Sequence, residues 1–136
     1  VCDKARLAIS NGLTPIICIG ETMEEKQAGK TMEIIESGLR ESVPTDTQSD
    51  IIIAYEPRWA IGAGITPTSE EIASAHTLIA NILTDMGLGG TPILYGASVK
   101  GSNAAEIMSI PHVDGVLVGG ASLKSDDFIP IITSVN

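Results

Sequence analysis

The chain has 136 residues, enough for one ordinary domain with its own core, and 43% of them are apolar, which excludes a disordered polymer. Eight Lys and Arg against 17 Asp and Glu leave a formal charge of −9, which repels nucleic acid and anionic membranes. No apolar run nears the ~18–20 residues of a membrane span. Cys2 and Cys18 form neither a disulfide framework nor a metal-ligand spacing, so a reducing cytoplasm is the expected setting.

The opening VCDKARLAISNG starts without Met in a helix-like pattern, with Ala5, Ala8 and Ile9 on one face and Gly12 as a stop. It reads as a piece whose beginning lies elsewhere. TPIICIG (14–20) follows as a short strand bounded by Pro and Gly. Thr22 and Glu25 form a capping box for a helix that carries Ala28, Met32, Ile35 and Leu39 at helical spacing. DIIIAYE (50–56) is the second strand. Thr68 and Glu71 cap the next helix, whose apolar face is Ile72, Ala75, Ile79, Ile82 and Met86, with Gly87 after it. TPILYG (91–96) is the third strand, Asn103 and Glu106 open a short helix, and VDGVLVGG (113–120) is the fourth strand. Ser125 is placed to cap a last helix, with Pro130 close to its interior.

Four apolar strands with helical crossovers predict a parallel α/β sheet, buried on both faces, in one domain or part of one over residues 1–136. Two architectures fit: a doubly wound open sheet, or a section of an eight-stranded barrel. Both gather function at the carboxyl ends of the strands. Those ends carry Gly20-Glu21, Glu56-Pro57, Gly96-Ala97-Ser98 and Gly119-Gly120. Glycines there let backbone N–H groups approach an anion, and Ser98 adds a hydroxyl, although tight turns favour the same residues.

Glu56 ends an apolar strand. A carboxylate buried there needs a partner or a use, and burial raises a carboxyl pKa towards the range of a general base. Pairing with Arg58 or another cation is the structural alternative. Pro57, Arg58, Trp59, Ala60, Ile61, Gly62, Ala63, Gly64, Ile65, Thr66 and Pro67 form an apolar loop with glycines and a proline at each end, as a hinged lid requires. His76 reads as a surface or satisfied histidine, His112 as a turn residue on the opposite rim, and Cys18 as packing. Gly62-Ala63-Gly64 lacks the third glycine of a dinucleotide fingerprint, no Walker motif is present, and no metal or cofactor is called for.

AYEPRWAIGAG (54–64) closely resembles the AYEP-x-WAIG-x-G motif of the triosephosphate isomerases. CIGE (18–21), YGAS (95–98) and DGVLVGGASLK (114–124) are similar to further segments of that family, in its order and spacing. The resemblance implies a (β/α)₈ TIM barrel of which this chain supplies the fifth to eighth strands with their helices. It implies a glycolytic and gluconeogenic, cytoplasmic isomerase of a small phosphorylated sugar, homodimeric at full length. Glu56 would be its catalytic base, and Gly62, Ser98, Gly119 and Gly120 its phosphate-binding groups. Cys18 and Glu21 match residues the family uses structurally. The family's catalytic lysine and electrophilic histidine match positions before residue 1, so the chain alone is expected to be inactive.

Several residues depart from the family pattern: Arg58, Ala63, Ile65, Ala97 in place of a second glycine, and Pro67 where a backbone N–H meets the tyrosine matching Tyr95. They leave two other readings open, an isomerase of a tetrose phosphate and a non-catalytic phosphate-binding half-barrel.

Overall fold

A computed structural model describes residues 1–46 and 50–134 of the chain; the remaining five positions of the expected 1–136 domain lie outside that description. Four parallel strands, β1 (Ile16–Ile19), β2 (Ile52–Tyr55), β3 (Ile93–Gly96) and β4 (Gly115–Leu117), form one sheet in chain order. Thr14-Pro15 and Thr91-Pro92 each end just before a strand, where proline's missing N–H costs no ladder bond. The Pro15 and Pro92 carbonyls instead accept from Ile52 and Ile53 N–H, each at 3.0 Å.

Helices α1 (Cys2–Ser10), α2 (Met23–Gln27), α3 (Thr31–Ser42), α4 (Ser69–Asp85), α5 (Ala104–Met108) and α6 (Ser125–Ile132) alternate with the strands. Both capping boxes form as the sequence predicts. Thr22 and Thr68 accept from the N–H of Glu25 and Glu71, whose carboxylates accept in return from the N–H of the two threonines. Ile35 and Leu39 of α3 and Ile72, Ala75, Ile79 and Leu83 of α4 are buried, and these two helices pack on one another. Register aligns Ile17, Ile53 and Ile93, then Ile19, Tyr55 and Tyr95; these six side chains are all buried.

Four expectations need correction. The helix expected from Thr22 to Leu39 is broken between α2 and α3, where Gly29 turns the chain at φ +70°. The sheet is not covered equally on both faces: the face opposite the helices leaves Ile16 45% exposed and Cys18 exposed on edge strand β1. Cys18 is therefore not core packing. The last helix begins from Lys124 rather than Ser125, and Pro130 lies inside it. Pro130 is tolerated where α6 meets Gly101, at which a β-carbon would stand 2.5 Å from the proline Cβ.

Candidate active site

The strand register builds the rim. Ile19, Tyr55 and Tyr95 are aligned, so the next residues, Gly20, Glu56 and Gly96, form a row across three strands. Glu56 is seated between the two glycines. Its N–H donates to the Ile19 carbonyl at 2.7 Å. A β-carbon on Gly20 would come within 1.8 Å of the Glu56 carbonyl oxygen, and one on Gly96 within 2.8 Å of Glu56 Oε1. Hydrogen at both neighbours is what lets the glutamate enter the row.

Glu56 is half-buried rather than enclosed, and among the described residues it takes part in no ion pair. Arg58 is exposed; its backbone N–H donates to the Glu21 carbonyl at 2.9 Å, and its side chain joins no ion pair among the described residues. The alternative of a Glu56–Arg58 pair is thereby removed. The Cys18 thiol is pushed up to about 11, first by desolvation and then by its contact with the Glu56 carboxylate. A thiol so protonated is a poor nucleophile.

A cleft of about 830 Å³ opens in front of Glu56 and brings Gly62, Ser98, Gly119 and Gly120 to its walls. Gly119 and Gly120 are exposed, with nothing within 4 Å of where a β-carbon would stand, so their backbone is open to a ligand. Ser98 sits at φ +47° and Ala97 at φ +155°, a glycine-favouring backbone held here by alanine. Lys100, which the sequence gave no reason to single out, lines the same cleft. Among the described residues no three His, Cys, Asp or Glu side chains are grouped closely enough to hold a metal ion.

The loop expected to act as a lid rises from a fixed base. Pro57 and Ala60 are buried, and Arg58–Ala60 form a single 3-10 turn. From Ile61 to Thr66 every residue is exposed, with Gly62 and Gly64 at φ +68°. Two ties hold the turn. Ser98 Oγ donates to the Ala60 carbonyl at 2.8 Å, and Trp59 Nε1 donates to Glu21 Oε1 at 2.9 Å. Glu21 is the hub beneath this turn. It is 1% exposed and also accepts from the Tyr55 hydroxyl at 3.2 Å, with Thr31 Oγ1 at 3.4 Å. The Tyr55 phenol is pushed well above its ordinary range, first by burial and then by the Glu21 charge.

His76 and His112 stand apart from the cleft. His76 is fully buried, not at the surface; its Nδ1 donates to the His112 carbonyl at 2.8 Å. Burial pushes its pKa down. Its Nε2 and the Tyr95 hydroxyl have no hydrogen-bond partner among the described residues. Pro67, beyond the lid tip, is buried and offers no N–H.

A family model described as triosephosphate isomerase matches residues 1–135. The chain is 47% identical to a triosephosphate isomerase of Ruegeria pomeroyi over 99% of its length and 56% of the relative's. It is 50% identical to one from Bartonella tribocorum, over 96% of the chain and 53% of the relative. Among solved structures, triosephosphate isomerase from Bartonella henselae superposes with a TM-score of 0.85 at 38% identity, over 98% of this chain and 54% of that one. The chain thus spans about half the length of the relatives it matches, and its four-stranded sheet is half of their barrel. Matched along nearly its whole length, the chain belongs to the triosephosphate isomerase family.

Proposed function

We propose that the full-length protein carrying this half-barrel interconverts dihydroxyacetone phosphate and glyceraldehyde 3-phosphate. Glu56 takes a proton from one of the two adjacent substrate carbons and returns it to the other through an enediol(ate). The backbone N–H groups of Gly62, Gly119 and Gly120, with Ser98, hold the phosphate. The lid from Pro57 to Pro67 excludes water while the enediolate exists. Triosephosphate isomerase is itself a standard illustration of a carboxylate base under a closing loop. The observation that carries this reading is a half-buried carboxylate, free of any ion pair among the described residues, on the wall of the same cleft as two open glycine-rich strand ends.

Polarising the substrate carbonyl needs donors besides these. Neither His76 nor His112 lines the cleft, and the cation that does, Lys100, lies on the Ser98 loop. The lysine and histidine that the family resemblance supplies belong to the other half of the barrel. Losing one preorganised donor costs roughly 2.7–4 kcal/mol of barrier, so the 136-residue chain alone should not turn over. A second reading rests on Pro67, which offers no N–H, and on the Tyr95 hydroxyl, which has no hydrogen-bond partner among the described residues: a lid latched differently suits a longer sugar, a tetrose phosphate. Assaying the full-length protein on glyceraldehyde 3-phosphate and on a tetrose 4-phosphate decides between them. Preference for the triose is expected. Preference for the tetrose phosphate favours the second reading, and activity on neither leaves a phosphate-binding half-barrel.

A further inference from the structure

The hinge tryptophan has a second polar neighbour besides Glu21. Lys26, in α2, places its Nζ 3.6 Å from the centre of the Trp59 ring. The same ammonium lies 2.9 Å from Glu71 Oε1. Glu71 in turn accepts the Thr68 N–H through Oε2 at 2.9 Å, closing the capping box just past the far end of the lid. One cation therefore touches the residue that starts the lid and the carboxylate that fixes the helix after it. A second cavity, of about 420 Å³, lies along this junction, walled by Lys26, Trp59, Pro67, Glu71 and Glu21.

We propose that Lys26 is a positioning residue that clamps the lid hinge in its exposed state, by holding the Trp59 ring against Glu21 and tying it through Glu71 to the far end of the lid. The contacts favour a clamp over a chance surface pair. The indole is held at its edge by Glu21 and on its face by Lys26, so the turn Arg58–Ala60 cannot rotate without giving up at least one of them. Hydrogen bonding to Lys26 is also the largest of the effects that hold the Glu71 carboxyl below its ordinary range. Closing the lid over a phosphate must rotate that turn, and the phosphate competes for Ser98, whose hydroxyl now braces the Ala60 carbonyl. The clamp thus opposes closure and sets how much ligand is needed to drive it. Its role in closure rests on the proposed function; the clamp itself rests only on these contacts.

The test uses the fact that Trp59 is the chain's single tryptophan. Fluorescence of the 136-residue chain is measured without ligand, with acrylamide as quencher, and during titration with glycerol 3-phosphate. Lys26→Met should shift Trp59 emission to the red and increase quenching. It should also tighten the apparent affinity for glycerol 3-phosphate about two- to fivefold, the size of one exposed cation–π contact. Lys26→Arg should restore both properties. Glu71→Gln, which keeps an acceptor for Thr68, should act like Lys26→Met in weaker form. Unchanged emission and quenching in Lys26→Met, or an affinity that is unchanged or weaker, overturns the clamp. If the unaltered chain binds no glycerol 3-phosphate, the half-barrel alone holds no phosphate, the reading of the full-length protein is judged by its own substrate assay, and the ligand-free emission and quenching decide the clamp.

Discussion

Glu56 and Gly96 occupy the same row of the sheet, and the glutamate side chain lies where a Gly96 side chain would have to be. A β-carbon at Gly96 would sit 2.8 Å from Glu56 Oε1 and 2.9 Å from Cγ. The glycine is therefore part of how the carboxylate is aimed. Gly96→Ala should push Glu56 off its seat. A displacement near 1 Å costs on the order of 10²-fold in turnover, and the crowding costs roughly 1–3 kcal/mol of stability. Turnover of the full-length variant, measured beside its urea midpoint, checks both.

Glu21 anchors the Arg58–Ala60 turn through the Trp59 indole. Glu21→Ala leaves the Tyr55 hydroxyl and the Trp59 indole N–H without their acceptor. Each orphaned buried donor costs roughly 1–3 kcal/mol, so the variant should lose several kcal/mol in urea denaturation. Trp59 emission should shift to the red at the same time. A loss of stability with unaltered emission would mean that Glu21 supports the core but does not hold the hinge.

His76 gives the fold a defined acid limit. Its pKa is lowered in the folded chain, chiefly by burial, from an ordinary 6.5. Below that value the unfolded chain binds the proton more readily than the folded one. The stability due to the neutral ring is therefore fully present above about pH 6.5 and falls as the pH drops through the folded pKa. Urea midpoints between pH 7.5 and 5 should decline, and His76→Gln should flatten that part of the decline.

Much of this was legible in local pattern. Strand β2 ending in Glu56 and Pro57 announced a carboxylate at a rim, and the capping boxes at Thr22 and Thr68 announced two helix starts. Each of these signals lies within a few neighbouring residues. What escaped the sequence depends on distant partners or on edges. His76 bonds a carbonyl 36 residues away, so nothing beside it told of its burial. Cys18 has the flanks of a core residue but sits on an edge strand, facing Glu56. The apolar spacing runs on through Ala28 and Met32, which hid the break at Gly29. Lys26 shares no local motif with Trp59; only folding brings α2 over the hinge. The strand pattern put Glu56 at risk of burial, and the structure leaves it half-buried on the wall of an open cleft.

The base assignment has the most direct test. Glu56→Asp in the full-length protein withdraws the carboxylate by one methylene and leaves Gly62, Ser98, Gly119 and Gly120 untouched. Turnover of glyceraldehyde 3-phosphate should fall about 10²-fold, while the inhibition constant of a phosphorylated substrate mimic stays within about twofold. Unchanged turnover in that variant would contradict the role given to Glu56.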